Sequence, residues 1–186
     1  RTNRRRIRQG TYCSNREVSP RVVCAATRGA FLGLLFMNAD EQTKHVVVLG
    51  GGFAGLSACQ RLNDRRVRVT LIDRQNHHLF QPLLYQVATA GLAAPDIAQP
   101  LRHILHDQEN VTTLMTEVRS IDAPARRVET SEGVITYDYL VGALGARTGY
   151  FGHNEWERFA PGLKTLDEAT ALRRQMLLAF ERAETA

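Results

Sequence analysis

The sequence has little of what defines several protein classes. Its longest strongly apolar run, Ala30–Met37, has eight residues, whereas a membrane-spanning helix needs about 20. Its three cysteines, Cys13, Cys24 and Cys59, include no C-x-x-C pair, which argues against a zinc site or a disulfide scaffold and favours a reducing compartment. A content of 44% hydrophobic and 23% charged residues argues against a disordered, collagen-like or coiled-coil chain and indicates a globular one.

Acidic residues are also scarce at the start of the chain. Residues 1–36 contain eight of the 24 basic residues and one of the 19 acidic residues, a net charge of +7. Residues 37–186 therefore carry 16 basic and 18 acidic residues, a net charge of −2. The overall charge of +5 comes from this first part, and the rest lacks the basic character expected of a domain that binds nucleic acid.

Residues 1–44, which we call the leader, allow three interpretations. Abundant arginine and scarce acid are typical of a transit peptide, although the amphipathic pattern of such peptides is weak here. The arginines could instead bind nucleic-acid phosphates. The simplest interpretation is an upstream extension before a natural start at Met37. We expect the leader to be disordered or to lie outside the folded domain, and we assign it no function.

A glycine-rich motif follows a short apolar segment. Residues 45–49 form a short continuous apolar run rich in β-branched residues, which is typical of a strand buried on both faces. Gly50, Gly52 and Gly55 then form G-x-G-x-x-G, and a predicted helix and a second predicted strand, residues 67–72, lead to Asp73. An acid 18 residues beyond the last glycine completes the pattern of a dinucleotide-binding unit.

Each position in this motif has a chemical reason. Gly50 permits the tight turn, Gly52 lets the backbone approach a pyrophosphate, and Gly55 lets the helix pack on the strand. The helix N-terminus offers unpaired N–H groups and a positive dipole end to the phosphates. Asp73 can accept hydrogen bonds from both ribose hydroxyls of the adenosine. The motif predicts dinucleotide binding but does not distinguish NAD from FAD.

The chain after Asp73 departs from a simple NAD-binding domain. It continues with a predicted helix at residues 97–105 and a predicted strand at 111–115. Three further short segments, residues 117–121, 127–130 and 134–137, are separated by turn signals. They predict a small antiparallel meander that replaces the usual crossover. Residues 139–146 then predict another buried strand that ends at a glycine-containing stretch.

At this point the sequence resembles a known family. It is similar to the FAD domain of the glutathione-reductase-like flavoproteins, and within them to type II NADH dehydrogenases. The resemblance covers residues 45–186 and rests on five segments: residues 46–56, Leu71–Arg74, residues 76–87 with a Phe-x-Pro-Leu-Leu-Tyr-Gln-Val core, residues 137–141 and residues 150–156.

The resemblance implies an α/β fold, a Rossmann domain whose parallel sheet carries a small antiparallel meander as its crossover. It implies an FAD-binding domain at residues 45–162 and a connector helix at residues 163–186 that leads to an NADH domain. The FAD contacts it implies are Gly50, Gly52, Phe53, Ala54, Gly55, Asp73, Arg74, Val118, Ala143 and Gly145. Leu144 stands where the family usually has threonine, which removes one hydroxyl from that motif. The segment around Pro82 is expected near the flavin ring.

The resemblance also implies an activity: NADH reduces FAD, which passes two electrons to a membrane quinone without proton pumping. It implies a peripheral protein on the cytoplasmic face of the cell membrane, and it leaves a homodimer open. No second G-x-G-x-x-G follows Gly55, so we expect an N-terminal part of a longer enzyme that contains no catalytic residue and binds FAD weakly. The alternatives are a related oxidoreductase with a different acceptor and a non-catalytic dinucleotide-binding fragment.

Several other residues receive ordinary structural interpretations. Residues 81–87 contain no cysteine, which disfavours disulfide-reductase and sulfide-oxidising chemistry, and Cys59 is expected to be a small buried apolar residue. We predict no metal site. The histidine pairs at positions 77/78 and 103/106 are expected to be solvated. Residues 176, 177 and 180 follow helical spacing and predict the core-facing side of the last helix.

Overall fold

The structure is a computed structural model that describes residues 22–24 and 43–185. Its strands are β1 (Val22–Cys24), β2 (Lys44–Leu49), β3 (Val67–Asp73), β4 (His77–Leu79), β5 (Ala98–Pro100), β6 (Val111–Met115), β7 (Val118–Asp122), β8 (Arg127–Thr130), β9 (Gly133–Thr136) and β10 (Tyr139–Gly142). Its α-helices are α1 (Phe53–Arg61), α2 (Leu84–Ala88), α3 (Ala94–Ile97), α4 (Leu101–Ile104) and α5 (Leu166–Glu184), with 3₁₀ turns at Gln81–Leu83 and Asn154–Arg158.

Five strands form a parallel sheet in the order β1-β10-β2-β3-β6. The apolar run predicted as a buried strand is β2, and its residues from 45 to 49 are all buried. Such complete burial is typical of a central parallel strand covered on both faces. The predicted α/β class with a parallel sheet is confirmed.

Alternate residues of the sheet point into two different cores. On one face, the core contains Val46, Val48, Val69 and Leu71 of the sheet. They pack with Cys59 of α1, with Leu101 of α4 and with Leu105, which follows α4. On the other face, Val47, Leu49 and Ile72 pack against the meander and β10. The three-stranded sheet β7-β8-β9 is antiparallel, which confirms the predicted meander. The sheet is therefore a middle layer between helices and meander.

Two side-chain amides fix the connection from α1 to β3. The Asn110 Nδ2 atom lies 2.7, 3.0 and 2.8 Å from the carbonyl oxygens of Leu62, Asp64 and Val67. The Gln108 side-chain amide donates to the Cys59 carbonyl at 2.7 Å. These bonds join the last turn of α1, the connection that follows it and the first residue of β3 to the segment before β6.

The predicted helix at residues 97–105 is wrong as a single element. It is divided into α3, β5 and α4, and β5 pairs antiparallel with β4, a strand that the sequence analysis missed. Pro100 explains the interruption, because proline lacks an N–H group and biases the preceding residue, Gln99, away from the helical region.

The last helix, α5, begins at Leu166 with a capping box. The Thr165 side chain accepts a hydrogen bond from the Glu168 amide at 3.2 Å, and the Glu168 carboxylate accepts from the Thr165 amide at 2.8 Å. Its first turns pack Leu166, Ala169 and Leu172 against apolar residues of α2. This contact attaches the helix to the domain at one end.

The predicted core-facing side of α5 is wrong for its second half. Met176, Leu177 and Phe180 are 43%, 49% and 68% exposed. The helical spacing of these residues is present, but α5 meets α2 only through its first turns, so among the described residues this apolar side stays largely uncovered.

Strand β1 belongs to the leader, and its backbone pairs in parallel with β10, from Val22 opposite Leu140 to Cys24 opposite Gly142. The expectation for the leader otherwise concerns residues outside the described ones, apart from Thr43 and Lys44. Across the part of the chain that the structure describes, no helix combines the length and apolar character needed to cross a membrane.

Candidate functional site

Three neighbouring parallel strands end together at one edge of the sheet, which we call the carboxyl edge. The Gly50 amide donates to the Ile72 carbonyl at 2.8 Å, and the Ala143 amide donates to the Leu49 carbonyl at 2.8 Å. These bonds bring the residues after β2, β3 and β10 side by side. In open α/β sheets, ligands bind outside the carboxyl ends of the strands.

Two glycines of the motif are required by the backbone itself. Gly50 has a φ of +98°, in the region that favours glycine, and a Cβ there would overlap the Ala143 carbonyl. A Cβ on Gly55 would overlap the Gly50 carbonyl oxygen. These contacts confirm the structural roles expected for the first and third glycines: a tight turn and a closely packed helix.

Gly52 differs from both, because its missing side chain leaves open space. No atom of the described residues lies within 4 Å of a Cβ built there. Gly52 is the N-cap of α1, has no side-chain cap and precedes a first turn without acidic residues. Residues 52–54 are exposed, and the first N–H groups of α1 have no acceptor within the helix. This is the donor arrangement that binds anions.

Asp73 lies at the end of β3 and directs its carboxylate to the glycine turn. Its Oδ2 accepts a hydrogen bond from the Gly51 amide at 2.6 Å, and its Oδ1 accepts from the Gln75 amide at 2.7 Å. The residue is half-buried. The carboxylate is therefore fixed beside the glycine turn at the start of α1.

Arg74 follows Asp73 in the chain and lies within electrostatic range of the start of α5. Its side chain is exposed, and its charge acts on Glu168. Partial burial raises the pKa of Glu168, but hydrogen bonds from the Lys164 and Thr165 amides and from the Thr165 hydroxyl, together with Arg74, lower that pKa below its usual value. The charge of Arg74 is the weakest of the four influences that lower this pKa.

Val118 begins the meander and is half-buried against the core on that face of the sheet. The chain reaches it directly from the site, since the Thr116 amide donates to the Asp73 carbonyl at 3.0 Å. Val118 therefore lies two residues beyond a direct backbone contact with Asp73.

The residues of the motif after β10 have different surroundings: the first contacts the glycine turn and the next two are exposed. Ala143 borders the glycine turn through its carbonyl. Leu144 is 68% exposed, and Gly145 is exposed with a φ of +69°. Ala143 is thus joined to the turn, whereas a Cβ built on Gly145 would meet no atom of the described residues within 4 Å.

The Phe-x-Pro-Leu-Leu-Tyr-Gln-Val segment contacts helix α5 and the residues just before it. Leu84 and Val87 are buried against α5, and the Gln81 side chain donates to the Lys164 carbonyl at 3.2 Å. Pro82 and Tyr85 are exposed. One side of the segment therefore packs against the connector helix α5, and the other side is exposed.

His78 is the site residue that sequence reasoning missed. The expectation that both histidine pairs are solvated is wrong for His77 and His78, which are half-buried, and it is confirmed for the exposed His103 and His106. His78 Nδ1 lies 3.0 Å from the Gly51 carbonyl oxygen. No spacing rule relates positions 51 and 78, so the signal would have had to come from recognising β4.

Cys59 is fully buried within α1, as expected. Burial raises the pKa of its thiol to about 12, so it stays a protonated apolar group that is unsuited to thiol chemistry. In the described part of the chain, no three His, Cys, Asp or Glu residues are grouped so as to hold a metal ion.

Comparison with known families agrees with this geometry. Residues 44–182 match the family described as pyridine nucleotide-disulphide oxidoreductase. The chain belongs to this family. The match begins at β2 and ends within α5, so it includes the glycine turn, Asp73 and the meander.

Individual relatives confirm the resemblance to type II NADH dehydrogenases. Over 143 residues the chain is 48% identical to the type II NADH:quinone oxidoreductase NdhA of Mycobacterium tuberculosis, which covers 75% of this chain and 30% of that protein. It is 45% identical over 152 residues to Ndh of the same organism, covering 79% of this chain and 33% of that protein. The chain spans about a third of the length of these relatives.

Solved structures share the fold. The sulfide:quinone oxidoreductase of Aquifex aeolicus superposes with a TM-score of 0.66 at 30% identity, covering 74% of this chain and 32% of that one. NDH2 of Plasmodium falciparum superposes with a TM-score of 0.70 at 24% identity, covering 76% of this chain and 30% of that one. The second similarity supports the fold alone.

Proposed function

We propose that this chain is the FAD-binding part of an NADH:quinone oxidoreductase. The observation that carries the proposal is the uncapped, exposed start of α1 at Gly52 beside the fixed carboxylate of Asp73. The residues present fit a dinucleotide, because free amide donors match its pyrophosphate and a half-buried carboxylate matches a ribose. The relatives named type II NADH:quinone oxidoreductase support the choice of FAD and of the reaction.

The chain's own groups divide the work of binding. The amides of Gly52, Phe53, Ala54 and Gly55 face the pyrophosphate, whose negative charge the positive end of the α1 dipole stabilises. Asp73 accepts hydrogen bonds from the adenosine ribose hydroxyls, because a carboxylate keeps lone pairs beyond those used by the amides of residues 51 and 75.

The remaining contacts follow the family pattern. Ala143 supports the turn from behind. The Val118 backbone meets the adenine, Gly145 belongs to the motif that meets the flavin, and Arg74 lies at the adenosine edge.

When bound, FAD supplies an acceptor for hydride from NADH and a donor of two electrons to quinone. The described residues bind and orient that group and contribute no catalytic side chain. We also propose that the full enzyme acts as a peripheral protein at the cytoplasmic face of the cell membrane, and that it assembles as a homodimer.

The test is reconstitution of the 186-residue chain with FAD, followed by visible absorption and quenching of flavin fluorescence. We expect weak but saturable binding. FMN is the matched control, because it has the same ring but lacks the adenosine and the pyrophosphate, so it should not bind. Binding of NAD with no binding of FAD would overturn the proposal.

A second candidate is a flavoprotein of the same fold that reduces quinone with sulfide instead of NADH. The similarity to a sulfide:quinone oxidoreductase favours it. Against sulfide as the reductant, Cys59 is buried with a pKa near 12. Steady-state assays of the full-length enzyme with NADH, quinone and sulfide separate the two, since the main proposal requires NADH to support quinone reduction and sulfide to fail.

A further inference from the structure

We propose that His78 is a positioning residue for the dinucleotide site, acting through the peptide that joins Gly51 to Gly52. The inference rests on the proposed function and extends it to a residue outside the glycine motif. Its starting observation is the contact between His78 Nδ1 and the Gly51 carbonyl oxygen at 3.0 Å.

The chemistry of this contact fixes the direction of the hydrogen bond. A carbonyl oxygen can only accept, so Nδ1 must carry the proton and donate. In the neutral imidazole this requires the tautomer with hydrogen on Nδ1.

The bond has a consequence on the far side of the peptide. The Gly51 carbonyl and the Gly52 N–H belong to one planar trans unit in which the two groups point in opposite directions. Holding the carbonyl toward His78 therefore turns the Gly52 N–H away from β4. That amide is the first of the donors that face the proposed pyrophosphate.

Other contacts leave Gly51 little freedom. Its amide donates to Asp73 Oδ2 at 2.6 Å, and the Leu101 side chain fills the space where its Cβ would stand. His78 supplies the remaining restraint, on the carbonyl. Both polar groups of Gly51 are thus held by side chains from outside the motif.

The position of His78 is itself secured by packing and pairing. It lies opposite Gln99 in the β4–β5 pair. Its ring meets Phe53 edge-on, with centroids 5.0 Å apart and planes at 89°, and Phe53 meets Phe80 in the same way at 5.5 Å. The aromatic contact places the ring, and the Nδ1–H group acts on the turn.

Two substitutions separate these roles. His78→Phe keeps an aromatic ring beside Phe53 but removes the donor. His78→Asn removes the ring but places an amide NH₂ near the position of Nδ1. His103→Phe, at an exposed position on α4, is the matched control for loss of a histidine.

We expect His78→Phe to weaken FAD binding by the 186-residue chain about three- to tenfold, the effect of one lost hydrogen bond. His78→Asn should stay within about twofold of the unsubstituted chain, as should His103→Phe. Equal weakening by Phe and Asn, or no weakening by Phe, would overturn the inference.

Two measurements on the chain without FAD keep the inference separable from the proposed function. ¹⁵N spectra should show His78 protonated at Nδ1, and His78→Phe should speed hydrogen exchange of the Gly51 amide while His78→Asn does not. A neutral ring protonated only at Nε2, or unchanged exchange in His78→Phe, would overturn the role of His78. If the unsubstituted chain binds no FAD, the proposed function fails, and these two measurements still decide whether His78 orients the turn.

Discussion

The two ends of helix α1 treat their free backbone groups in opposite ways. At its start, on the carboxyl edge of the sheet, the N-cap Gly52 provides no side-chain cap, and a Cβ built there would meet no atom of the described residues within 4 Å. The other end of α1 lies at the opposite edge of the sheet, where the parallel strands begin, which we call the amino edge. There the side chains of Asn110 and Gln108 donate to carbonyls of the helix and of the connection to β3.

This difference suggests that the start of α1 serves ligand binding and that its end serves stability. A buried polar group without a partner is costly, so the enclosed end of the helix is saturated from within the protein. The exposed end can leave its donors to water, which a ligand then displaces. Substitutions at the two ends of α1 should therefore change different quantities.

Substitution Gly55→Ala should damage folding most. The added Cβ would overlap the backbone oxygen of Gly50, which no side-chain rotation can relieve, so we expect a loss of more than about 3 kcal/mol in the free energy of unfolding. Chemical denaturation measures it.

Its matched control is Gly52→Ala, three residues earlier. A Cβ at Gly52 meets no atom of the described residues, so stability should change by less than about 1 kcal/mol, while FAD binding should fall because the methyl group occupies the approach to the amides. Equal destabilisation by both substitutions would contradict the division between the two glycines.

Asn110→Ala should act on stability alone. Three carbonyl oxygens lose their side-chain donor, which we expect to lower the free energy of unfolding by about 2–3 kcal/mol. FAD affinity at the opposite edge should be unchanged. The control is Asn63→Ala, an exposed position in the same connection, and a comparable loss there would show that the amide of residue 110 is not the cause.

Asp73→Ala should act mainly on binding. We expect FAD affinity to weaken by about 1–3 kcal/mol, because the half-buried carboxylate is lost to the ribose and no longer fixes the Gly51 amide. Fluorescence titration measures the change, with Asp107→Ala as an exposed control. Unchanged affinity would remove residue 73 from the site.

The smallest effect concerns pH and lies at the amino edge. Burial and the nearby Arg68 lower the pKa of His45 below its usual 6.5, although the Thr136 backbone and Asp138 act in the opposite sense. The unfolded chain therefore binds this proton more readily than the folded one, and the stabilisation present above pH 6.5 is lost as pH falls through the lowered pKa.

His45→Gln should remove that part of the pH dependence. Denaturation between pH 7.5 and pH 5 should show a shallower slope for the variant than for the unsubstituted chain. Identical slopes would assign the acid sensitivity to other groups.

The sequence was informative wherever a local pattern has one physical meaning. The β-branched run at residues 45–49 suits a strand buried on both faces, and the structure places it at the centre of the parallel sheet. The turn signals around residues 123 and 132 correctly separated the strands of the meander. The glycine spacing located the turn, and the acid at the end of β3 lies against it.

Other features depend on contacts between distant residues, which no local pattern records. The pairing of β4 with β5 overrode the helical appearance of residues 97–105. Through the same pairing His78 reaches Gly51, 27 positions earlier. The apolar spacing of α5 was recognised correctly, but spacing does not reveal how far along the helix a partner extends.

The place of β10 in the sheet has a consequence for synthesis of the chain on the ribosome. This strand lies beside β2, and the residue after it, Ala143, closes against Gly50. The turn at Gly50 thus lacks its contact with Ala143 until about ninety further residues have been translated. A nascent chain that ends before Ala143 would contain every glycine of the motif but would not yet form the complete nucleotide-binding turn.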